Sequence, residues 1–199
     1  MKKKSRSSPL KRVDSIRAQY ESLGVHQYYQ TQGAHYLNPH QSQVKALLEQ
    51  TQSRLNYHSV LDLCCGSGEV SLALSQLGYP LPQGCDPYTQ DAYLERTGTS
   101  CLEFTFEEIA KGALLSYRYE TIICSFALHL CPQSLLYQTV YALFQSAPHL
   151  VILSPHKRPN LEQYSDIECF DQGLVHTPIK KKSVRLKAYR LRYSVGNTH

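Results

Sequence analysis

Short apolar runs alternate with amphipathic segments between residues 58 and 155 of the chain. The apolar runs are the right length for buried strands and predict strands at 58–64, 83–86, 100–105, 119–125 and 149–154. The segments between them carry apolar residues at helical spacing and predict helices at 69–77, 88–96, 107–111 and 133–145. Because strands that alternate with helices are typical of a parallel sheet covered on both faces, the pattern predicts an α/β domain.

Two further strands are predicted near the end of the chain, at 174–179 and 183–195. Their order favours an antiparallel pair at the sheet edge, whereas residues 155–170 before them are polar and have no clear period. In the second strand apolar residues alternate with polar ones up to Ala188, and the phase then changes towards Leu191, which indicates a β-bulge. The whole pattern predicts a seven-stranded, mostly parallel sheet with an antiparallel terminal strand.

The length of 199 residues suits one domain with a substantial core. Residues 1–7 are polar and basic, and they predict a disordered tail. Residues 8–57 contain two helical patterns separated by a stretch rich in Tyr, Gln and His, which we interpret as a helical lid. The remaining residues, 58–199, make up the predicted α/β domain.

The formal net charge is +5, and much of the excess lies in basic clusters at the two ends of the chain. Such clusters can contact the phosphates of RNA, although a solvated charged surface explains them equally well. The seven cysteines lack the spacing of a disulfide framework and contain no Cys-x-x-Cys pair, so no structural zinc site is predicted. Because no secretory signal or membrane-spanning run is evident, the sequence predicts a cytoplasmic protein with no membrane partner, with the nucleus as the alternative compartment.

The most specific chemical signal is a glycine turn after the first predicted strand. Asp62 lies at the end of that strand, Gly66 and Gly68 follow it, and a helix begins directly afterwards. A strand, a glycine turn and a helix bring backbone N–H groups close to a ligand. Glu69 after Gly68 excludes a phosphate-binding P-loop, which needs Gly-Lys-Ser/Thr there, and Ser71 replaces the third glycine of a dinucleotide fingerprint. NAD or FAD therefore stays possible but is disfavoured.

The sequence Asp-Leu-Cys-Cys-Gly-Ser-Gly at 62–68 resembles motif I of the class I S-adenosylmethionine (SAM)-dependent methyltransferases, with Cys64 in place of the first glycine. Further segments resemble the later motifs of this family in the same order: 84–87, 104–107, 119–129 and 150–155. The resemblance covers roughly residues 55–155 and implies a single Rossmann-like domain with an N-terminal helical lid. It also implies that the cofactor is SAM and that the reaction is methyl transfer.

The resemblance implies roles for particular residues of this chain. The residues implied to surround the methionine part of SAM are Asp62, Cys64, Gly66, Ser67 and Gly68. The resemblance implies that Asp86, beside Pro87, accepts the ribose hydroxyls, because a carboxylate can receive two O–H groups. Phe106 would pack on adenine, and Ser125 and Phe126 would lie beside the sulfonium and the incoming acceptor.

The acceptor side of the reaction has weaker signals. His156, in a basic loop after the fifth predicted strand, is a candidate general base or substrate ligand, although an ordinary surface loop explains it equally well. Tyr36, in the segment rich in Tyr and His, is the second candidate catalytic residue. The sequence thus predicts a methyltransferase that acts on RNA or a small molecule. The alternative is a non-catalytic module of the same fold that binds RNA or a protein partner.

Overall fold

The predicted alternation of strands and helices gives a single six-stranded mixed sheet. The computed structural model describes residues 41–155, 157–176 and 183–192. The strands are β1 (Val60–Leu63), β2 (Gln83–Cys85), β3 (Thr121–Ser125), β4 (His149–Ser154), β5 (Ile167–His176) and β6 (Ser183–Leu191). Their order across the sheet is β2-β1-β3-β4-β6-β5. The first four strands are parallel, and β6 pairs antiparallel with both β4 and β5.

Helices cover both faces of this sheet, as the sequence predicts. They are α1 (Gln41–Thr51), α2 (Glu69–Gln76), α3 (Gln90–Thr97), α4 (Phe106–Ala110) and α5 (Gln133–Phe144), with short 3₁₀ turns at Leu128–Leu130 and Leu161–Gln163. The apolar residues of α1 and α2 form one core with one face of the sheet, and those of α4 and α5 form a second core with the opposite face. No helix of the described part of the chain is long and apolar enough to cross a membrane.

The prediction of a third parallel strand at 100–105 is wrong for most of its length. Only Leu102 forms a bridge, to Cys85, and two backbone hydrogen bonds join Leu102 to Gly84 and Asp86. The pairing ends there because Thr105 is already the N-cap of α4, where its side chain accepts from the Glu108 N–H in a capping box. The described sheet therefore has six strands rather than the predicted seven.

The edge of the sheet also departs from the sequence prediction. β5 begins at Ile167, seven residues before the predicted strand at 174–179, because it pairs with β6 along almost its entire length. The irregularity lies in β5, between Cys169 and Asp171, and not in β6 as the phase change indicated. In β6 the apolar residues before and after the phase change simply face different sheet faces: Ala188 belongs to one core and Tyr189 to the other.

The predicted lid is described only from residue 41 onwards, so residues 8–40 and the tail 1–7 lie outside the described residues. Within the described part, the second helical pattern of residues 8–57 is α1, whose apolar residues Val44, Leu47 and Leu48 are fully buried. This helix packs against α2, β5 and β6. It is therefore part of the domain core, with one side of the sheet as its partner.

Candidate functional site

The loop after β1 is held in place by its backbone. Two consecutive N–H groups, of Cys64 and Cys65, donate to the Cys85 carbonyl oxygen on β2, at 2.7 and 3.3 Å. Cys64 has φ = 53°, in the left-handed region that favours glycine. The position where the methyltransferase motif has its first glycine therefore keeps a glycine-like backbone, although a cysteine occupies it.

The two glycines of the loop have different physical reasons for being glycine. Gly66 has φ = 53°, and a Cβ built on it meets only Glu69 Oε2, at 3.6 Å, so the space beside this backbone is open. Gly68 has φ = 88°, and a Cβ there would lie 2.7 Å from Thr97 Cγ2 of α3. Gly66 leaves room for a ligand, whereas Gly68 lets α3 pack against the loop.

Asp62 lies beneath this loop and is completely buried. Its Oδ2 atom accepts from the Ser71 N–H at 3.1 Å and lies 2.8 Å from Ser71 Oγ, which is 2.9 Å from the Tyr93 hydroxyl. That hydroxyl donates to the Pro82 carbonyl oxygen at 3.0 Å. Three hydrogen bonds thus link Asp62, Ser71, Tyr93 and Pro82 in a row. The Ser71 and Tyr93 hydroxyls supply only two protons for these three bonds, one each.

A proton on Asp62 completes this chain, because Asp62 can then donate to Ser71, Ser71 to Tyr93 and Tyr93 to Pro82. The electrostatics agree: burial raises the pKa of Asp62 well above its usual range, and the hydrogen-bonding contacts with Ser71 oppose this shift. The second oxygen, Oδ1, has no hydrogen-bond partner among the described residues. Asp62 thus anchors the start of α2 from below and retains one unpaired acceptor.

Asp86 lies at the end of β2, next to the loop. Its Oδ1 atom accepts from the Tyr88 N–H at 2.9 Å, and its Oδ2 atom accepts from the Gly66 N–H at 3.3 Å. Burial raises the pKa of Asp86, and these two hydrogen bonds oppose the shift. Pro87 lies in the turn closed by the Tyr88 N–H, and the following helix, α3, begins at Gln90, two residues later than the predicted start at 88.

A polar cluster on the outer side of the loop was not found from the sequence. The Ser67 hydroxyl donates to Glu69 Oε1 at 2.8 Å, and Arg96 Nη1 donates to both, at 2.8 and 3.0 Å. The Ser67 side chain is thus engaged within the protein, which leaves its backbone as the part that can meet a cofactor. Arg96 lies on α3, and nothing in its sequence spacing indicated a contact with the loop; only the packing of α3 creates it.

Ser125 and Phe126 lie where the sequence placed them, at the carboxyl end of β3. Ser125 is paired in register with Leu153 of β4, and the Phe126 N–H donates to the Leu153 carbonyl oxygen at 2.8 Å. Phe126 has φ = 58°. A bulky residue in this conformation is uncommon and is found disproportionately at functional sites.

The aromatic residues near the site divide into buried and exposed ones. Phe106 is the first residue of α4 and packs partly buried against the core. Tyr88, two residues after Asp86, is 41% exposed and was missed by the sequence reasoning. An aromatic residue directly after Asp86-Pro87 is the signal that could have identified it. The two predicted catalytic residues, His156 and Tyr36, lie outside the described residues.

The residues that the structure brings together suit a nucleoside cofactor with an amino-acid end. They combine an open glycine backbone at Gly66, a carboxylate at Asp86 and an unpaired buried acceptor at Asp62. All three lie at the carboxyl ends of β1 and β2, the edge at which open parallel sheets bind their ligands. These three residues are the ones among the predicted cofactor residues that could contact or support a bound SAM.

Comparisons with known proteins bear on the family and the fold of the chain. No protein-family model matches the chain. It is 33% identical, over 192 aligned positions, to an uncharacterised protein of Schizosaccharomyces pombe (strain 972), an alignment that covers 74% of this chain and 77% of the yeast protein.

Solved structures of low sequence identity share the fold. Magnesium protoporphyrin IX methyltransferase from Synechocystis PCC 6803, solved with bound SAM, has a TM-score of 0.57 and 20% identity and covers 88% of this chain and 95% of its own. The N-methyltransferase NodS from Bradyrhizobium japonicum WM9, solved with S-adenosyl-L-homocysteine, has a TM-score of 0.57 and 13% identity and covers 78% and 89%. The present chain therefore belongs to the same family as the Schizosaccharomyces pombe protein, and its fold is that of the class I SAM-dependent methyltransferases.

Proposed function

We propose that this protein is a SAM-dependent methyltransferase that binds SAM at the carboxyl ends of β1 and β2. The observation that carries the proposal is the pair formed by Gly66 and Asp86. Gly66 leaves open space beside its backbone, and its N–H is bonded to the Asp86 carboxylate. One open backbone segment and one oriented carboxylate on adjacent parallel strands are what a nucleoside with a charged tail requires.

In this proposal Asp86 accepts the ribose hydroxyls of SAM. A carboxylate has about four acceptor positions, and two of them are used by the Tyr88 and Gly66 N–H groups. These two bonds fix the carboxylate plane while leaving acceptor capacity for a diol. Tyr88 is an exposed aromatic side chain beside Asp86, and with Phe106 it is a candidate for contact with adenine.

The loop residues hold the methionine end. Gly66 provides the close approach, Cys64, Ser67 and Gly68 shape the backbone, and Asp62 holds the loop from below through Ser71. When bound, SAM supplies a methyl group on a positively charged sulfur. The protein contributes orientation: Ser125 and Phe126, held to β4 by the bond to Leu153, border the place where an acceptor nucleophile is aligned.

Calorimetric titration with SAM and with S-adenosyl-L-homocysteine tests the cofactor proposal. We expect Asp86→Asn to weaken SAM binding by about 1.5–3 kcal/mol, the range for hydrogen bonds to a charged acceptor. Asn keeps the acceptor for the Tyr88 N–H, so the turn is retained. Asp91→Asn, on the exposed surface of α3, is the matched control and is expected to bind SAM like the parent. No binding to the parent at concentrations up to about 1 mM would contradict the proposal.

Methyl transfer itself is tested with labelled SAM against separated RNA, protein and metabolite fractions of a cell extract. We expect label to enter one fraction and Asp86→Asn to lower the rate at limiting SAM. His156 and Tyr36 remain the proposed acceptor-side residues, and their alanine variants belong in the same assay. A protein that binds SAM but labels none of the fractions would favour the alternative of a non-catalytic module.

A further inference from the structure

A second pocket lies on the other side of β4 from the proposed SAM site. Its volume is about 450 Å³, which is within the range of small-molecule sites. The residues that line it are Ile152, Ser154, Lys157, Arg158, Pro159, Asn160, Glu162, Arg185, Lys187 and Tyr189. They come from β4, β6 and the segment between β4 and β5. The proposed binding of SAM uses none of them.

The pocket lies beneath the crossover from β4 to β5, whose described part differs from a typical crossover. Parallel strands are normally joined by a crossover that includes a helix, which covers the sheet face beneath it. Here the described part of the crossover contains only the 3₁₀ turn Leu161–Gln163. The face of β4 and β6 at Ile152 and Lys187, which are paired in register, is therefore covered by a loop rather than by a helix.

The pocket has a strong excess of positive charge. Of the described lining residues, four have cationic side chains and one, Glu162, has a carboxylate. Lys187 is paired with both oxygens of Glu162, at 2.8 and 3.0 Å. Lys157, Arg158 and Arg185 have no carboxylate within ion-pair distance among the described residues. Cations that share a cavity without counter-charges repel one another, and an anionic ligand removes that repulsion.

The register of the sheet places this charge close to the proposed site of methyl transfer. Ser125, at the end of β3, is paired with Leu153 of β4, and the next residue, Ser154, is a pocket residue paired with Arg185 of β6. Neighbouring strands are about 4.8 Å apart, so the pocket begins within about two strand spacings of Ser125. A molecule seated among these cations therefore lies near the carboxyl end of β3, the edge of the sheet at which the proposed methyl transfer takes place.

We infer that this pocket binds the anionic group, phosphate or carboxylate, of a small-molecule methyl acceptor, with Arg185 as its main ligand. Assigning the anion to a methyl acceptor rests on the proposed function above. Arg185 is the partly buried member of the unpaired cations and lies on a strand, so its guanidinium is presented by a rigid element. Lys157 and Arg158, in the loop after β4, contribute further positive charge on the loop side of the ligand.

The lining favours a small anion over RNA. Proteins that read single-stranded RNA stack its bases on exposed aromatic side chains. Among the described residues that line the pocket, the aromatic one is Tyr189, which is 1% exposed and belongs to the core. The remaining lining is cationic and polar around a cavity of limited volume, which suits a single phosphate or carboxylate group better than a polymer backbone.

Calorimetric titration of the full-length protein with pyrophosphate, inorganic phosphate and succinate, at constant ionic strength, tests the pocket. We expect saturable binding of one of these anions and a dissociation constant raised at least about fivefold by Arg185→Gln. Lys157→Gln, a change in an exposed loop, provides a second variant that does not depend on the packing of the sheet. The matched control is Arg192→Gln, at the 60%-exposed side chain just after β6, with an expected change of less than about twofold.

Titration with SAM on the same samples separates this inference from the proposed function. Saturable SAM binding without anion binding, or anion binding to which both Arg185 and Lys157 are indifferent, overturns the pocket assignment while the cofactor site stands. Anion binding that depends on Arg185 in a protein without SAM affinity supports the pocket and overturns the link to a methyl acceptor. Binding of a uridine 20-mer that Arg185→Gln weakens, with no binding of the three small anions, overturns the small-molecule assignment in favour of RNA.

Discussion

The carboxyl ends of β1 and β4 lie at the same edge of one sheet, but their polar groups are organised in opposite ways. Around β1, the side chains of Asp62, Ser67 and Glu69 are buried and bonded to other protein groups. Around β4, the cations of Lys157 and Arg185 have no carboxylate partner among the described residues. A ligand at β1 therefore meets a preformed backbone, whereas a ligand at β4 would itself supply the missing charge.

The difference follows from what covers each strand end. The loop after β1 is packed against α3, which brings Tyr93 and Arg96 into contact with it. Among the described residues no helix packs over the loop after β4, and the described part of that loop contains one short 3₁₀ turn. We infer that substitutions around β1 change stability strongly, because they disturb packed and bonded groups. Substitutions around β4 should change ligand binding more than folding.

The largest expected effect is at Gly68. In Gly68→Ala the new methyl group would lie 2.7 Å from Thr97 Cγ2 in addition to requiring φ = 88°, so we expect a loss of roughly 2–4 kcal/mol in the free energy of unfolding. Gly78→Ala is a matched control, because Gly78 also has φ = 88° but has nothing within 4 Å of the added Cβ. It should lose only the backbone part, about 1 kcal/mol.

Urea denaturation followed by circular dichroism measures both variants, which is appropriate since the chain contains no Trp. Equal losses in Gly68→Ala and Gly78→Ala would mean that α3 does not press on the loop. The loop at β1 would then be no more tightly packed than the loop at β4, and the contrast between the two regions would fail.

The sequence predicted the central fold well because burial leaves a local pattern. β4 has the predicted bounds of 149–154, and the other parallel strands begin or end within two residues of the prediction. The sequence-based prediction failed for the first part of β5, where Glu168 and Asp171 interrupt the apolar pattern. These carboxylates pair with Arg190 on β6 and Arg54 after α1, partners that only the tertiary structure brings near.

The candidate site divides in the same way. Asp62, Gly66 and Asp86 could be predicted because they follow strand ends at spacings set by the chain itself. Arg96 could not be predicted, since its contact with Ser67 depends on how α3 packs against the loop. The cationic pocket was likewise hidden, because its residues come from strands and a loop that are distant in sequence.

The next effect in size concerns the proton on Asp62. Burial raises the pKa of this carboxyl in the folded protein, so the stability that its protonated form contributes is present at low pH and is lost as pH rises through the folded pKa. We expect the parent to lose stability relative to Asp62→Asn as the pH rises above the usual range of an Asp carboxyl, because Asn stays neutral.

Denaturation curves at a series of pH values measure this difference, with Asp91→Asn as the control for an exposed carboxyl. Parallel pH profiles for the parent and Asp62→Asn would show that Asp62 is already ionised throughout. The hydrogen bonds from Asp62 to Pro82 would then have one proton too few, and the dense organisation around β1 would include an unsatisfied group.

The smallest effects compare one ion pair from each region. Arg96 and Glu69 have side chains that are 24% and 7% exposed, whereas Lys187 and Glu162 are 32% and 42% exposed. Arg96→Gln should lower the free energy of unfolding by about 1 kcal/mol, because it leaves the buried Glu69 carboxylate without its counter-charge. Lys187→Gln should change it by less than about 0.5 kcal/mol, since water can replace the lost partner of Glu162.

Urea denaturation at low and at high salt measures both variants. We expect salt to reduce the small effect of Lys187→Gln and to leave most of the effect of Arg96→Gln. A loss at Lys187 as large as that at Arg96 would indicate that the β4 pocket is held together by its own charges. The two ends of the sheet would then no longer differ in how their polar groups are organised.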